Sequence, residues 1–264
     1  MSVKYLVSVF SSFLFALVLS ACDSDSFPEA LPLPTSSIPL NDTGITWGGN
    51  YPETMDKNAT CIGETIGQQD CSHGRDVTHD DDSDGHAGFS YTKLDTNGNP
   101  LAASATEWSC VQDNVTGLIW EVKTDDGSLQ DADWTYMSTT NMADHDDPRG
   151  DDDNGICLAS PSNTDGIYCH TEGFRSAVNT QGLCGASDWR LPTYSELIGL
   201  VHFGRLDPAI DLEYFPNQGN LVSWSGSPSA GNSNSVWGVH FGDGYSGNNG
   251  RASELSVRLV RSGQ

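Results

Sequence analysis

The acidic stretch THDDDSDGHAGF, residues 78–89, has the residue spacing of a calcium-binding loop. Asp80, Asp82 and Asp84 alternate along it, and Gly85 follows them directly. Alternating carboxylates in a turning chain can converge on one hard cation, and a glycine permits the sharp turn that this convergence requires. The stretch therefore predicts an isolated calcium loop, with a solvated acidic loop as the alternative.

The same stretch lacks the last ligand of a full EF-hand. His86 occupies the seventh position, where the backbone carbonyl oxygen coordinates the ion. Tyr91 occupies the twelfth position and has no carboxylate for bidentate binding. A full EF-hand is therefore excluded, and calcium is predicted as a cofactor only for the three aspartates together with His86.

Aromatic and amide side chains near two glycine-rich loops form a second candidate site. Tryptophan and tyrosine rings can stack on sugar rings, while asparagine and aspartate side chains form hydrogen bonds with hydroxyl groups. The candidate ligand-binding residues are Trp224, Trp237, Asp243, Tyr245, Asn248 and Asn249. The alternative places the tryptophans in the hydrophobic core, where this residue is usually well buried.

The sequence contains no nucleophile motif and no phosphate-binding loop. Asp188 and Glu196 offer the paired carboxylates that glycoside hydrolysis needs. Glu196 is better explained by the S/T-x-x-E capping box that begins at Thr193, and Asp188 by a bond to the backbone or to an arginine. Trp189 is predicted in the core, and Arg190 is predicted to pair with a carboxylate. The chain is therefore predicted to be non-enzymatic.

The N-terminus predicts a lipoprotein signal peptide over residues 1–21. Lys4 precedes an apolar stretch that is too short for a typical membrane span. The stretch ends in LSAC, which resembles a bacterial lipobox and makes Cys22 the acylated residue. Residues 22–45 are rich in proline and serine and are predicted to tether the domain. The predicted location is the bacterial cell envelope, lipid-anchored at the periplasmic or outer surface, with ordinary secretion as the alternative.

The chain contains seven cysteines. Acylation of Cys22 leaves an even number, which predicts disulfides in an oxidising compartment. The predicted pairs are Cys61–Cys71 and Cys157–Cys169, each closing a short loop, which leaves Cys110–Cys184. A catalytic thiol is the alternative, although no base lies near any cysteine in the sequence.

The charge of the chain excludes one class of partner. It has 36 acidic and 12 basic residues, for a formal net charge of −24 at pH 7. Such a surface repels the phosphate backbone, so nucleic-acid binding is excluded. A carbohydrate or a surface protein is the predicted partner, with the membrane reached through the lipid anchor.

Short helices and strands must position these residues. A helix is predicted over residues 171–183, where Phe174 and Val178 share one face, and a second helix from Thr193 to Gly204. The predicted strands are 115–123, 221–225, 236–241 and 255–260, with loops at 226–235 and 242–253.

Five ordered sequence blocks resemble those of the Lcl C-terminal domain, which is the C-terminal domain of the Legionella collagen-like adhesin. The blocks are DNVTGLIWE, CGASDWRLPTYSEL, VSWS, VWGVHFGDG and VRLVR, within residues 108–262. The resemblance implies an α+β fold like that of C-type lectins and formylglycine-generating enzymes. Two helices would pack on a small, twisted, mostly antiparallel sheet that is rich in loops and stapled by disulfides.

The resemblance also implies adhesion or ligand binding at the cell surface. The founding domain binds sulfated glycosaminoglycans, which requires a basic surface, and the acidic composition of this chain disfavours a sulfated polymer. The alternatives are an oxidase of the formylglycine-generating type, which needs free cysteines, and a purely structural envelope lipoprotein. Residues 46–107 are predicted to be an acidic, cysteine-containing N-terminal elaboration, and residues 108–264 the Lcl C-terminal-like domain.

Overall fold

The computed structural model describes residues 40–48, 70–79, 81–138 and 170–263 of the chain. Over these residues the fold is α+β, with two α-helices and two small antiparallel sheets, which confirms the predicted class. The strands are β1 (Tyr91–Leu94), β2 (Cys110–Asp113), β3 (Leu118–Glu121), β4 (Val222–Ser229), β5 (Asn232–His240), β6 (Ser246–Gly250) and β7 (Val260–Ser262). The helices are α1 (Thr171–Gln181) and α2 (Tyr194–Ile198).

The first sheet has the strand order β1-β2-β3-β7. Its last strand comes from the end of the chain, and Val260 of β7 lies opposite Trp120 of β3. Strand β1 forms the other edge, with Tyr91 opposite Asp113 of β2. The segment predicted as an N-terminal elaboration therefore contributes one strand to this sheet.

The second sheet has the order β4-β5-β6. Strands β4 and β5 extend into the predicted loop 226–235, with a register shift near Pro228. Strand β6 occupies part of the predicted loop 242–253, so that prediction is wrong for residues 246–250. The sequence SGNNG has low intrinsic strand preference, and it is paired along its whole length with β5.

The predicted first helix is confirmed as α1. Phe174 and Val178 are fully buried, as their shared face requires. Gly182 adopts the left-handed conformation (φ 72°) and its N–H bonds to the carbonyl of Val178, which ends the helix. The chain then turns so that residues 182–184 reach β2.

The capping box at the start of α2 is also confirmed. The Glu196 N–H donates to the Thr193 hydroxyl, and the Thr193 N–H donates to the Glu196 carboxylate at 2.7 Å. The helix ends at Ile198 rather than near Gly204. The amides of Gly199, Leu200 and Val201 each bond to the third preceding carbonyl, which is the tighter 3₁₀ pattern at a helix terminus.

Two buried hydrophobic clusters hold the sheets and helices together. The first joins α2 to both sheets and includes Trp120, Leu197, Phe215, Val239 and Phe241. The second joins α1 to both sheets and includes Phe174, Trp189, Trp224, Val236 and Leu259. Trp189 is 1% exposed, which confirms its predicted place in the core.

A buried ion pair fixes the end of β3. The Lys123 Nζ lies 2.8 Å from Glu121 Oε1, and the Leu259 N–H donates to the other carboxylate oxygen. Arg258 donates to the backbone carbonyl of Glu121, and burial lowers the Arg258 pKa to about 10. Buried charges that lose a partner are costly, so this arrangement holds β3 and the segment after it in place.

The N-terminal segment contacts the domain earlier than the sequence predicts. The Asn41 side chain donates to the carbonyl of Gly199, and the Phe203 N–H donates to the carbonyl of Thr43 at 2.8 Å. Residues 41–44 therefore belong to the packed structure rather than to a tether. The rest of the predicted tether, the signal peptide and Cys22 lie outside the described residues. Among the described helices, none is long and apolar enough to cross a membrane.

Candidate functional site

A polar cleft of about 400 Å³ lies between the start of β2, the turn after β3 and the C-terminal end of α1. Half of its twelve lining residues carry hydroxyls or amides, and an indole, a carboxylate and the apolar side chains of Val122 and Leu183 are also among them. They include Thr96, Trp108, Ser109, Thr124, Asp126, Ser128, Gln130 and Gln181. A concave surface that combines an aromatic wall with several polar groups suits a small polar ligand.

The turn over residues 124–131 is held by one buried carboxylate. Asp131 accepts hydrogen bonds from the backbone amides of Asp126 at 2.8 Å, Gly127 at 2.6 Å and Asp133 at 2.9 Å. These backbone hydrogen bonds, that of Asp133 foremost, lower the pKa of Asp131. The turn is thereby fixed by a group that stays ionised at neutral pH.

The polar groups of the cleft are bonded to one another. Gln130 is 6% exposed, and its Nε2 donates to Gln181 Oε1 across the cleft at 2.5 Å. The hydroxyls of Thr124 and Ser128 lie 2.9 Å apart. Hydrogen bonds from Ser128 lower the pKa of Asp126, so this lining residue is a carboxylate at neutral pH. The cleft thus presents donors and acceptors in fixed positions.

Trp108 forms the aromatic part of the wall. Its Nε1 donates to the carbonyl of Tyr214 at 2.9 Å. The Lys93 ammonium lies 3.8 Å from the centroid of the indole ring and is itself bonded to the carbonyls of Ala103 and Ala105. A cation at this distance attracts the face of an aromatic ring. The indole is therefore held both by its hydrogen bond to Tyr214 and by the Lys93 ammonium.

The disulfide between Cys110 and Cys184 joins two walls of the cleft, which confirms the predicted pair. Cys110 begins β2, and Cys184 itself lines the cleft just after α1. Cys71 also forms a disulfide. Its predicted partner Cys61 lies outside the described residues.

The third predicted pair, Cys157–Cys169, likewise lies outside the described residues. The proposed acylation site Cys22 does so too. Both therefore stay predictions.

The residues predicted to bind ligand do not form one site. Trp237 of β5 lies opposite Asn248 of β6, and Val236 lies opposite Asn249. Successive residues of a strand point to opposite faces of the sheet, so Asn248 and Asn249 cannot contact the same small ligand. Tyr245 lies on the Asn249 side, because its ring contacts Gly247.

Trp224 cannot stack on a sugar, and that part of the prediction is wrong. Its side chain is fully buried and its Nε1 donates to the carbonyl of Tyr136 at 2.6 Å. The Asp243 carboxylate already bonds to neighbouring groups of the chain. Its Oδ1 lies 2.7 Å from His240 Nδ1 and accepts a hydrogen bond from the Tyr245 amide. The alternative of core tryptophans therefore describes Trp224 correctly.

A smaller aromatic surface remains on the α2 side of the second sheet. The half-buried rings of Tyr194 and Trp237 lie 5.3 Å apart, and the Tyr194 hydroxyl lies 3.0 Å from the Ser246 hydroxyl. Asn248 is exposed beside them, opposite Trp237.

Two of the predicted calcium ligands make other contacts, and the His86 carbonyl, which was predicted to coordinate the ion, accepts from the Phe89 N–H at 3.3 Å. The Asp84 carboxylate accepts from the Ser90 hydroxyl at 2.5 Å, and His86 Nδ1 lies 2.7 Å from Asp211 Oδ2. Asp82 is exposed, and Asp80 lies outside the described residues. In the described ranges no group of three or more acidic, histidine or cysteine side chains is arranged to hold a metal ion. Calcium binding stays a prediction.

Asp188 and Glu196, the two carboxylates of the block CGASDWRLPTYSEL, are paired with arginines. Arg190 binds Glu196 through two hydrogen bonds of 2.8 and 2.7 Å, and Arg261 Nε donates to Asp188 at 2.6 Å. The predicted structural roles of these residues are confirmed. The two carboxylates belong to separate ion pairs, which gives no support to a glycosidase pair.

Sequence reasoning missed the cleft. The lining glutamines are 51 positions apart and follow no motif, and Trp108 stands alone between two predicted segments. The one local signal is the Asp126-Gly127 pair, which is typical of a tight turn. A turn indicates a surface loop without indicating what the loop faces.

A family model for the Lcl C-terminal domain matches residues 109–261 of the chain. No curated protein and no solved structure matches the chain. The family match covers β2, β3, both helices and all later strands, whereas β1 precedes it. It includes the whole block CGASDWRLPTYSEL. It also includes the turn at 124–131 and the end of α1, and both of these segments line the cleft. The chain therefore belongs to the Lcl C-terminal domain family.

Proposed function

We propose that this protein is a non-enzymatic, lipid-anchored envelope protein whose Lcl C-terminal domain binds a neutral carbohydrate in the polar cleft. The observation that carries the proposal is the lining of the cleft. The Trp108 ring lines the cleft, with the Lys93 ammonium 3.8 Å from its centroid, and hydroxyl, amide and carboxylate groups line the same cleft. Sugars present both an apolar face and hydroxyl groups, and such a combination matches both.

The charge of the cleft favours a neutral sugar over a sulfated one. Its lining residues include Asp126 and no lysine or arginine. The chain as a whole carries a net charge of −24. A sulfated polymer would therefore meet repulsion both locally and at long range. The finer likeness to C-type lectins remains part of this proposal.

The oxidase alternative receives no support from the described cysteines. Cys71, Cys110 and Cys184 are in disulfides and offer no free thiol. An oxidase of the formylglycine-generating type requires reduced, reactive cysteines. The oxidase alternative would therefore need a free thiol among the remaining cysteines. A thiol count by mass spectrometry on the native chain tests whether such a thiol exists.

Calorimetry with a panel of neutral and sulfated oligosaccharides tests the carbohydrate proposal. We expect binding of a neutral sugar that weakens about tenfold, or ~1.4 kcal/mol, in Asp126→Asn, because the carboxylate loses its charge-assisted hydrogen bonds. Asn248→Ala on the other sheet is the matched control and should bind as the wild type does. Equal binding by Asp126→Asn and the wild type would remove the cleft as the site.

Intact-mass analysis of the protein purified from bacterial membranes tests the lipid anchor. We expect a chain that begins at Cys22 and carries several acyl groups. Cys22→Ala should retain residues 1–21 and lack the acyl mass. A wild-type chain cleaved elsewhere without acylation would show ordinary secretion instead.

A further inference from the structure

Four exposed apolar side chains gather at one end of the second sheet. Phe203, Leu206, Leu221 and Tyr245 are 40%, 72%, 42% and 70% exposed. We call these four side chains the apolar end. Contiguous exposed apolar surface marks a place where a protein meets a partner or a membrane.

Hydrogen bonds join the loops that carry these side chains. The Asp207 N–H donates to the carbonyl of Gly242 at 2.8 Å, which ties the Leu206 loop to the turn between β5 and β6. The Asn220 side chain donates to Asp207 Oδ1 at 3.0 Å, which ties in the segment of Leu221. The loops that carry Leu206, Leu221 and Tyr245 are thus held next to one another.

Close packing places the Phe203 ring against the turn that carries Tyr245. Gly244 adopts a left-handed conformation (φ 78°), and a Cβ atom there would lie 2.7 Å from Phe203 Cε1. The Phe203 ring therefore lies directly against the residue that precedes Tyr245. Aromatic and aliphatic groups alternate over a short distance, as in segments that insert at a membrane interface.

Two charged groups near the apolar end have partners of opposite type within the protein, whereas the exposed Asp207 carboxylate has only the neutral Asn220 amide. Asp243 pairs with His240, and Arg205 NH1 lies 3.3 Å from Asp211 Oδ1. Arg205 is thus committed to an internal carboxylate and is not available to an anionic headgroup. With the net charge of −24, this surface suits zwitterionic lipid and not anionic lipid.

The N-terminal segment first contacts the domain through Asn41, which donates to Asp113 and Gly199, and then passes beside the apolar end. The Phe203 N–H donates to the carbonyl of Thr43, and Gly204 lies against Gly44. In the sequence, Leu40 follows Cys22 by 18 positions. A linker of such a length keeps a domain at an effective concentration of roughly millimolar near its anchor, so weak insertion is enough for docking.

We propose that the apolar end docks on the zwitterionic surface of the bilayer that holds the anchor, with Leu206 and Tyr245 inserted among the headgroups. This proposal rests on the proposed acylation of Cys22. The docked domain would turn the second sheet's loops toward the lipid. The cleft, which is built from other segments, would stay open to a soluble ligand.

Hydrogen exchange on the full acylated chain tests the docking. The chain is measured in phosphatidylcholine vesicles and in dodecyl maltoside micelles, and flotation first establishes that it is bound to the vesicles. We expect amides of residues 203–207 and 242–246 to exchange at least about fivefold more slowly in vesicles than in micelles. The ratio should fall to about one in the double variant Leu206→Ser and Tyr245→Ser. It should persist in Val77→Ser, which removes an apolar side chain that is 54% exposed on another segment.

The outcomes separate the docking from the anchor. A chain that floats with vesicles but shows equal exchange in both media is anchored without docking, which overturns this proposal alone. A chain that does not float lacks the anchor, which overturns both proposals. Protection that appears in micelles as well and grows with protein concentration identifies a second copy as the occupant, and it also overturns docking on lipid.

Discussion

The cleft and the β5–β6 hairpin contain similar residue types, but their polar side chains converge in the cleft and point to different faces on the hairpin. Both contribute a tryptophan, amide side chains and an aspartate. In the cleft, groups from three distant segments face one concave space. On the hairpin, neighbouring polar residues alternate between two faces of a sheet. Proximity in sequence is therefore a poor guide to a shared site in a strand, whereas distant turns can converge.

The two regions also differ in how they are fixed. A disulfide, a buried carboxylate and a buried glutamine hold the cleft. The hairpin is held by the pairing of β5 with β4, by the burial of Val236 and Val239 in the two core clusters, and by the contact of Tyr194 with Trp237. Rigid placement of polar groups lowers the entropic cost of binding, so the cleft is better suited to hold a ligand.

The largest effect is expected from removing the disulfide in the double variant Cys110→Ser and Cys184→Ser. The bond closes a loop with a sequence separation of 74, so its loss should lower the free energy of unfolding by about 4 kcal/mol. Urea denaturation followed by fluorescence measures this change. At temperatures where the variant remains folded, sugar binding should be weaker than in the wild type, because two walls of the cleft are no longer joined. Unchanged affinity would show that the bond serves stability alone.

A smaller effect is expected from Glu196→Ala at the start of α2. The variant loses the capping bond to Thr193 and both hydrogen bonds to Arg190, which together should cost about 2 kcal/mol. This change acts on the helix that carries Tyr194 and leaves the cleft intact. Calorimetry on the folded variant should therefore give the wild-type affinity for the sugar. A parallel loss of affinity would mean that the two regions are coupled.

Acid should weaken the same helix start. Burial opposes ionisation of Glu196, but hydrogen bonds from Arg190 and Thr193 outweigh it, and the pKa lies below its ordinary value of 4.5. The stabilisation is thus fully present above pH 4.5 and is lost as the pH falls through the lower pKa of the folded state. In Glu196→Gln, unfolding curves between pH 5 and 3 should show a smaller loss of stability than in the wild type. Identical pH profiles would contradict this role for Glu196.

The sequence predicted the elements with strong local signals. The capping box at Thr193 and the glycine stop at Gly182 are local hydrogen-bond patterns, and both are confirmed. The pair of Arg190 with Glu196 joins residues six positions apart, whereas Arg261 lies 73 positions from Asp188 and was not identified as its partner from the sequence. Strand β6 was missed because its residues have little strand preference and depend on β5 for their conformation.

The candidate site was less predictable than the fold. The pairing of Gln130 with Gln181 arises only when the end of α1 is placed against the turn after β3, and no short motif encodes that contact. Trp224 was misjudged because a tryptophan beside a glycine-rich loop looks the same in sequence whether its ring points inward or outward. Its inward direction follows from the register of β4 against β5.

The smallest effect is expected from Asn248→Ala, and it bears most directly on the comparison of the two regions. Asn248 is exposed on β6, so its truncation should change the free energy of unfolding by less than about 0.5 kcal/mol. Its sugar affinity should equal that of the wild type, because the cleft is lined by other segments. If Asn248→Ala instead weakened binding while Asp126→Asn did not, the aromatic surface of Tyr194 and Trp237 would be the binding site. The fixed polar groups of the cleft would then serve only to hold the end of α1 against the first sheet.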